Sequence, residues 1–112
     1  MNIQIYGNSK CFDTKKAQRY FKERRISFQN IDVAKFGMSK GELTSVKNAV
    51  GLGALIDPNS KDYDRSCIAY LASEENKLEK LLEYPALLRT PVVRNGKKAT
   101  VGYQPEVWKT WE

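Results

Sequence analysis

Histidine is absent from this 112-residue chain, and cysteine occurs only twice, at Cys11 and Cys67. Without an imidazole there is no base for a Cys-His or Ser-His catalytic pair. Zinc is disfavoured too, because two distant cysteines and scattered carboxylates make a poor tetrahedral site. No metal is expected. Two cysteines are also too few for a disulfide scaffold. No apolar run approaches the roughly 18 residues that a membrane span needs, and none resembles a signal peptide. A cytoplasmic location with no membrane partner is therefore expected. Negative charge is scarce near the first cysteine. Between Met1 and Arg25 the acidic residues are Asp13 and Glu23, against Lys10, Lys15, Lys16, Arg19, Lys22, Arg24 and Arg25.

What remains is ordinary globular material, 41% hydrophobic and 29% charged, enough for one domain over residues 1–112 with a core of its own. The net charge of +6 sits largely around and after Cys11. It reads equally as a solvated helix face or as a functional field.

The chain divides readily. Ile3–Tyr6 alternates and reads as a strand, followed by a turn at Gly7, Asn8 and Ser9. From Thr14 to Arg25 there is no glycine or proline, and Ala17, Tyr20, Phe21 and Arg24 fall at helical spacing. Ile26–Val33 is a second strand. Ser39 with Glu42 three residues on predicts a capping box, with Leu43, Val46, Lys47 and Val50 as the inner stripe and Gly51 as the stop. Residues 51–64 read as loop. Arg65–Tyr84 reads as one or two helices, restarting at Ser73 and ended by Pro85. Cys67, in this stretch, reads as a small helix-face core residue. Thr90–Tyr103 holds two short strands around Asn95-Gly96, a strong hairpin signal. A last short helix has Pro105 in its first turn, with Val107, Trp108 and Trp111 at inward spacing.

The order is βαβ, then helices, then ββα. The first unit implies parallel strands with a crossover helix, and the last an antiparallel hairpin. Together they predict an α/β fold: a thioredoxin-like, mixed four-stranded sheet with a helical insertion at about 39–84.

That order puts Cys11 in the loop leading into the first helix. Unpaired N–H groups and the helix dipole give such a place partial positive charge. Lys10, Lys15 and Lys16 add full charges. A cysteine so placed can have a pKa of roughly 3.5–7.5, against about 8.5 when free, and the thiolate is the nucleophile. Thr14, three residues on, can offer its hydroxyl to the sulfur. Thr90-Pro91 is the second constellation. In a thioredoxin-like core the proline here is typically cis and lies beside the cysteine loop, and the backbone of its neighbour pairs with an incoming peptide or glutathione.

With the segments IQIYGNSKCFDTKKA and EYPALLRTPVVRNGKKATVGYQPEVW in view, the chain resembles the arsenate reductase (ArsC) family, which also contains the Spx regulators. The resemblance covers nearly the whole chain. It implies that Cys11 is the nucleophile, Thr14 the family's hydroxyl residue, and Lys15 the occupant of a position that is arginine in arsenate reductases. It further implies a thiol co-substrate such as glutathione, with no bound cofactor. Asn8, Lys10, Thr90, Pro91 and Arg94 are the expected substrate- or thiol-binding residues, Arg94 if the hairpin turns it inward.

Two departures stand out. Glutaredoxin-coupled arsenate reductases grip the oxyanion with three more arginines, and the aligned positions here are Asp57, Thr90 and Tyr103. None offers the planar bidentate donor that such an anion favours. Arg89 does not simply substitute, since it points away from Thr90 in a strand. Spx-type switches often use Cys-x-x-Cys, and Thr14 occupies the second position. The expected activity is thus single-cysteine thiol oxidoreduction, with a small thiol or glutaredoxin resolving the mixed disulfide. The alternatives are an arsenate reductase with altered anion contacts and a Spx-like regulator that binds RNA polymerase. Direct nucleic-acid binding is not expected, because no DNA-reading motif is present.

Overall fold

A computed structural model describes residues 1–111. Its sheet has the order β2-β1-β3-β4, from β1 (Ile3–Gly7), β2 (Phe28–Asp32), β3 (Val92–Asn95) and β4 (Lys98–Val101). β1 runs parallel to β2, with Ile3 opposite Phe28 and Gly7 opposite Asp32. It runs antiparallel to β3, with Gln4 opposite Arg94 and Tyr6 opposite Val92. This is the expected mixed sheet.

Alternation along the strands assigns each face. Ile3, Ile5 and Val93 point to one side, where α1 (Phe12–Glu23) and α7 (Pro105–Trp108) cover them with Ala17, Tyr20, Phe21 and Trp108. Trp108 is fully buried and donates its Nε1 proton to Thr100 Oγ1 at 2.7 Å. Tyr6 and Val92 point to the other side, into a core built with Leu43, Val46, Leu55, Leu78 and Leu81 of the helical insertion and with Leu87 just after it.

The insertion holds α3 (Lys40–Val50), α4 (Leu52–Leu55), α5 (Tyr63–Ser66) and α6 (Glu74–Glu83), and a short α2 (Val33–Phe36) leads into it. The capping box is present: Ser39 Oγ accepts from the Glu42 N–H and Glu42 Oε1 accepts from the Ser39 N–H. Ser73 likewise caps α6 by accepting from the Asn76 N–H. The insertion is tied back to the proline strand where the Asp57 N–H donates to the Leu87 carbonyl and the Arg89 N–H to the Leu55 carbonyl.

Several sequence expectations need correction. α1 begins at Phe12, two residues early, because Cys11 itself takes the extended N-cap conformation. The loop expected at 51–64 contains α4, whose Leu52 and Leu55 are both buried. Cys67 is not a core residue; it is exposed, in the left-handed region (φ 58°), at the turn that ends α5. The hairpin turn falls at Gly96-Lys97, one residue later than expected, with Gly96 at φ 61°. Val107 is exposed, so the inward spacing holds for Trp108 and in part for Trp111.

Candidate active site

The Cys11 loop is held by its own backbone. The Asn8 carbonyl accepts from the Cys11 N–H at 2.9 Å, and Asn8 Oδ1 accepts from the Lys10 N–H at 2.9 Å. The Asn8 N–H in turn donates to Thr14 Oγ1 at 3.4 Å. Thr14 is 1% exposed and lies against Gly7, which ends β1. A Cβ on Gly7 would meet Thr14 Cγ2 at 2.2 Å, so only glycine lets the first turn of α1 sit this close to the strand.

Cys11 is half-buried at the N-cap of α1. As a thiol it donates to the Thr90 carbonyl at 3.6 Å. Thr90 precedes Pro91, and the bond between them is cis, as expected. The Pro91 carbonyl accepts from the Gly102 N–H at 2.9 Å, which anchors the hairpin's far end beside the loop.

Burial pushes the Cys11 pKa up, but donors to the sulfur outweigh it and the net shift is downward. The groups that favour the thiolate are the Thr14 and Thr90 hydroxyls and the N–H groups of Thr14 and Asp13 in the open first turn of α1, although none of these N–H groups closes a cap bond on the sulfur. The contact with the Thr90 carbonyl works the other way, since it favours the protonated thiol. The weight thus rests on neutral donors. Lys10 and Lys15 are exposed at the rim, with Lys15 Nζ 5.9 Å from the centre of the Phe12 ring, itself 79% exposed.

The ArsC family model matches residues 6–111. This chain belongs to the ArsC family. It is 30% identical over 112 residues to the global transcriptional regulator Spx 2 of Oceanobacillus iheyensis, covering 95% of this chain and 80% of the relative. Its fold superposes on an arsenate reductase from Vibrio cholerae with a TM-score of 0.84 at 22% identity, over 96% of this chain and 94% of the other. It also superposes on the glutaredoxin-like protein NrdH-redoxin from Escherichia coli, with a TM-score of 0.51 at 15% identity, over 100% and 96%. These two likenesses establish a thioredoxin-like fold and nothing further.

Within this ArsC-family fold, Asn8, Cys11, Thr14, Thr90 and Pro91 come together, with Lys10 and Lys15 on the same loop and helix end. Arg94 does not join them. Its guanidinium lies on the insertion side of the sheet, donating to Gln4 Oε1 at 3.0 Å and the Tyr6 hydroxyl at 3.2 Å, with Glu42 Oε2 at 3.6 Å. The reason is register: Val93 faces α1, so its neighbour must face α3. The three positions aligned with family arginines are equally uncharged or acidic in space. Asp57 Oδ1 accepts from the Asn59 N–H at 2.9 Å in a turn, and Tyr103 leans edge-on against Trp108 at 5.6 Å. Among the described residues no three His, Cys, Asp or Glu side chains gather as a metal site, and no helix is long and apolar enough to cross a membrane.

Sequence reasoning missed the contributions of Gly7 and of the Thr90 hydroxyl. Gly7 carried a signal, a glycine closing a strand next to a nucleophile loop. For Thr90 the sequence pointed to the backbone beside the proline and not to the hydroxyl, whose direction depends on how a loop 79 residues away is set against Cys11.

Proposed function

We propose that this ArsC-family protein is a single-cysteine thiol oxidoreductase. The observation that carries the reading is the Cys11 sulfur, half-buried at the N-cap of α1 and 3.6 Å from the carbonyl of Thr90, which precedes the cis proline; its pKa is shifted downward there. The thiolate attacks one sulfur of a disulfide R–S–S–R′. A bond forms to Cys11, the original S–S bond breaks, and R′S⁻ leaves and takes a proton from water. A second thiol, glutathione or another small thiol free or carried by a glutaredoxin, attacks the mixed disulfide. It leaves as a new disulfide with R and restores the Cys11 thiolate. Cys67 is exposed on a separate turn, and the scheme does not call on it.

The arsenate reading has less support, since Asp57, Thr90 and Tyr103 supply no guanidinium to a tetrahedral dianion. A Spx-like regulator acting on RNA polymerase is the second reading, and the 30% identity to a named regulator favours it.

The test is alkylation of Cys11 by iodoacetamide across pH, followed by mass spectrometry. The expected midpoint lies below that of a free thiol, and in a Cys67→Ser background, which removes the exposed second thiol, the protein with Cys11 but not its Cys11→Ser variant forms a mixed disulfide with glutathione disulfide. A midpoint at the free-cysteine value overturns the oxidoreductase reading. Retention of RNA polymerase by both wild type and Cys11→Ser, without that reactivity, would replace it with the regulator.

A further inference from the structure

Beside the Cys11 loop, at the C-terminal ends of the parallel strands β1 and β2, lies a cleft of about 240 Å³. Its walls include Asn8, Thr14, Lys15, Gln18, Asn30 and Asp32. It is small against the roughly 300–1,000 Å³ of pockets that enclose drug-sized ligands, so it suits an amino-acid-sized group rather than a whole substrate. Its chemistry is two-signed. Lys15 brings a cation on the α1 wall and Asp32 a carboxylate on the β2 wall. Asp32 uses one oxygen, Oδ1, to cap α2 by accepting from the Ala34 N–H at 3.0 Å, which leaves the other. Gln18 Nε2 donates to Asn30 Oδ1 at 2.9 Å across the cleft. That bond leaves the Gln18 carbonyl as an acceptor and the Asn30 amide as a donor.

The cleft is in line with the nucleophile. Residues 11, 14, 15 and 18 fall on one stripe of a helix, three and four apart. With about 1.5 Å of rise per residue, Lys15 and Gln18 lie roughly 6 and 10 Å along the axis from Cys11. Thr14 belongs to both places, lining the cleft and, through its bond with the Asn8 N–H, bracing the Cys11 loop.

We infer that this cleft is a specificity subsite for disulfides and mixed disulfides that carry an α-amino-acid zwitterion on an arm several bonds from sulfur. The carboxylate is received by Lys15 and the Asn30 amide, and the ammonium by Asp32 and the Gln18 carbonyl. The inference rests on the oxidoreductase reading for the reaction that follows binding, but not for binding itself. The γ-glutamyl end of glutathione has this form and reach. Cystine has the zwitterion on too short an arm, and bis(2-hydroxyethyl) disulfide lacks it.

Two measurements test it. Rates of mixed-disulfide formation on Cys11 with these three compounds, each divided by the rate of a free model thiol, should rank glutathione disulfide at least tenfold above bis(2-hydroxyethyl) disulfide, with cystine between. Asp32→Asn keeps an oxygen to cap α2 and should lower that ratio by about tenfold. Separately, S-methylglutathione added to the Cys11→Ser protein should shift the side-chain amide NMR signals of Gln18 and Asn30 in a saturable way. Equal normalised rates in wild type, or still amide signals, overturn the subsite while leaving the oxidoreductase standing. Saturable shifts with no reaction at Cys11 keep the cleft and remove the oxidoreductase.

Discussion

Replacing Gly7 by alanine adds one methyl group at the most crowded point of the site. A Cβ there would lie 2.2 Å from Thr14 Cγ2, 2.7 Å from Oγ1 and 3.0 Å from Cβ. Carbon pairs settle at about 3.5–4.0 Å, so the closest approach is short by more than an ångström. Thr14 cannot swing aside easily. It is β-branched, held to few rotamers in a helix, and 1% exposed. Either α1 moves off β1 or Thr14 turns and breaks its bond with the Asn8 N–H. Overpacking of this kind costs about 1–3 kcal/mol, and two crowded side-chain atoms place Gly7→Ala near the upper end. The alanine also stiffens the unfolded chain, which returns about 0.4–1 kcal/mol, leaving a net loss of about 2 kcal/mol.

Urea unfolding measures this. With a slope of about 1–3 kcal/mol/M, the midpoint should fall by roughly 1–2 M. Thr14→Ala removes both Cγ2 and Oγ1, so in the Gly7→Ala/Thr14→Ala double variant the clash is mostly relieved. The cycle should show a favourable coupling of about 1 kcal/mol or more. The Cys11 alkylation midpoint should rise in Gly7→Ala, since the Thr14 hydroxyl is displaced from the sulfur. A Gly7→Ala protein within about 0.5 kcal/mol of wild type, or an additive cycle, refutes the close approach as the determinant of this loop.

Burial and the 2.5 Å hydrogen bond donated to Glu42 push the Tyr6 hydroxyl up to about 12, against a smaller downward pull from Arg94. The fold therefore favours the neutral phenol. An unfolded tyrosine ionises near pH 10, so this contribution is complete below about 10 and is lost as pH rises through about 12. Wild type should lose stability across that window more steeply than Tyr6→Phe, and equal slopes would contradict the assignment. Trp108→Phe strands the buried Thr100 hydroxyl and leaves a void, at a combined cost of about 2–4 kcal/mol by urea unfolding. Adding Thr100→Val should recover about 1 kcal/mol; no recovery would mean that the hydrogen bond carries none of the loss.

Local signals were legible where two of them coincided. Ser39 and Glu42 are three residues apart and complete each other's hydrogen bonds, so the start of α3 needs no tertiary information. The sheet was legible because alternation in Ile3–Tyr6 and the glycine-bearing turn near Asn95 each constrain one pairing. Short elements were not. Leu52 and Leu55 make one helical spacing, and one spacing is no periodicity. The four residues of α7 likewise could not say which of Val107 and Trp108 faces inward. Cys67 was misplaced because a left-handed turn between two short helical segments has no residue signature when glycine is absent from it. In the site, the place of Cys11 at the start of α1 was legible from the chain, but its surroundings were only partly so. Lysine charges are visible in a sequence; a hydroxyl arriving from a distant loop is not.

The placement of Arg94 bears on the choice between substrates. Glu42 has two tasks: Oε1 closes the capping box on Ser39, and Oε2 accepts from Tyr6 and faces Arg94. Turning Arg94 toward Cys11 would leave a half-buried carboxylate without its cation and the Gln4 carbonyl without its donor. The arginine nearest in sequence to the proline loop on the sheet is thus held on the opposite face by a network that also anchors α3. The groups that favour the thiolate are neutral, two threonine hydroxyls and two backbone N–H groups, with Lys10 and Lys15 exposed at the rim and no guanidinium beside them. Neutral donors suffice for a reaction in which a thiolate attacks an uncharged S–S bond and hands one negative charge from sulfur to sulfur. An oxyanion carrying two charges would need guanidinium groups to offset the repulsion between it and the thiolate. Under the oxidoreductase reading proposed above, this arrangement suits a disulfide better than a tetrahedral dianion, on grounds independent of any alignment of arginines.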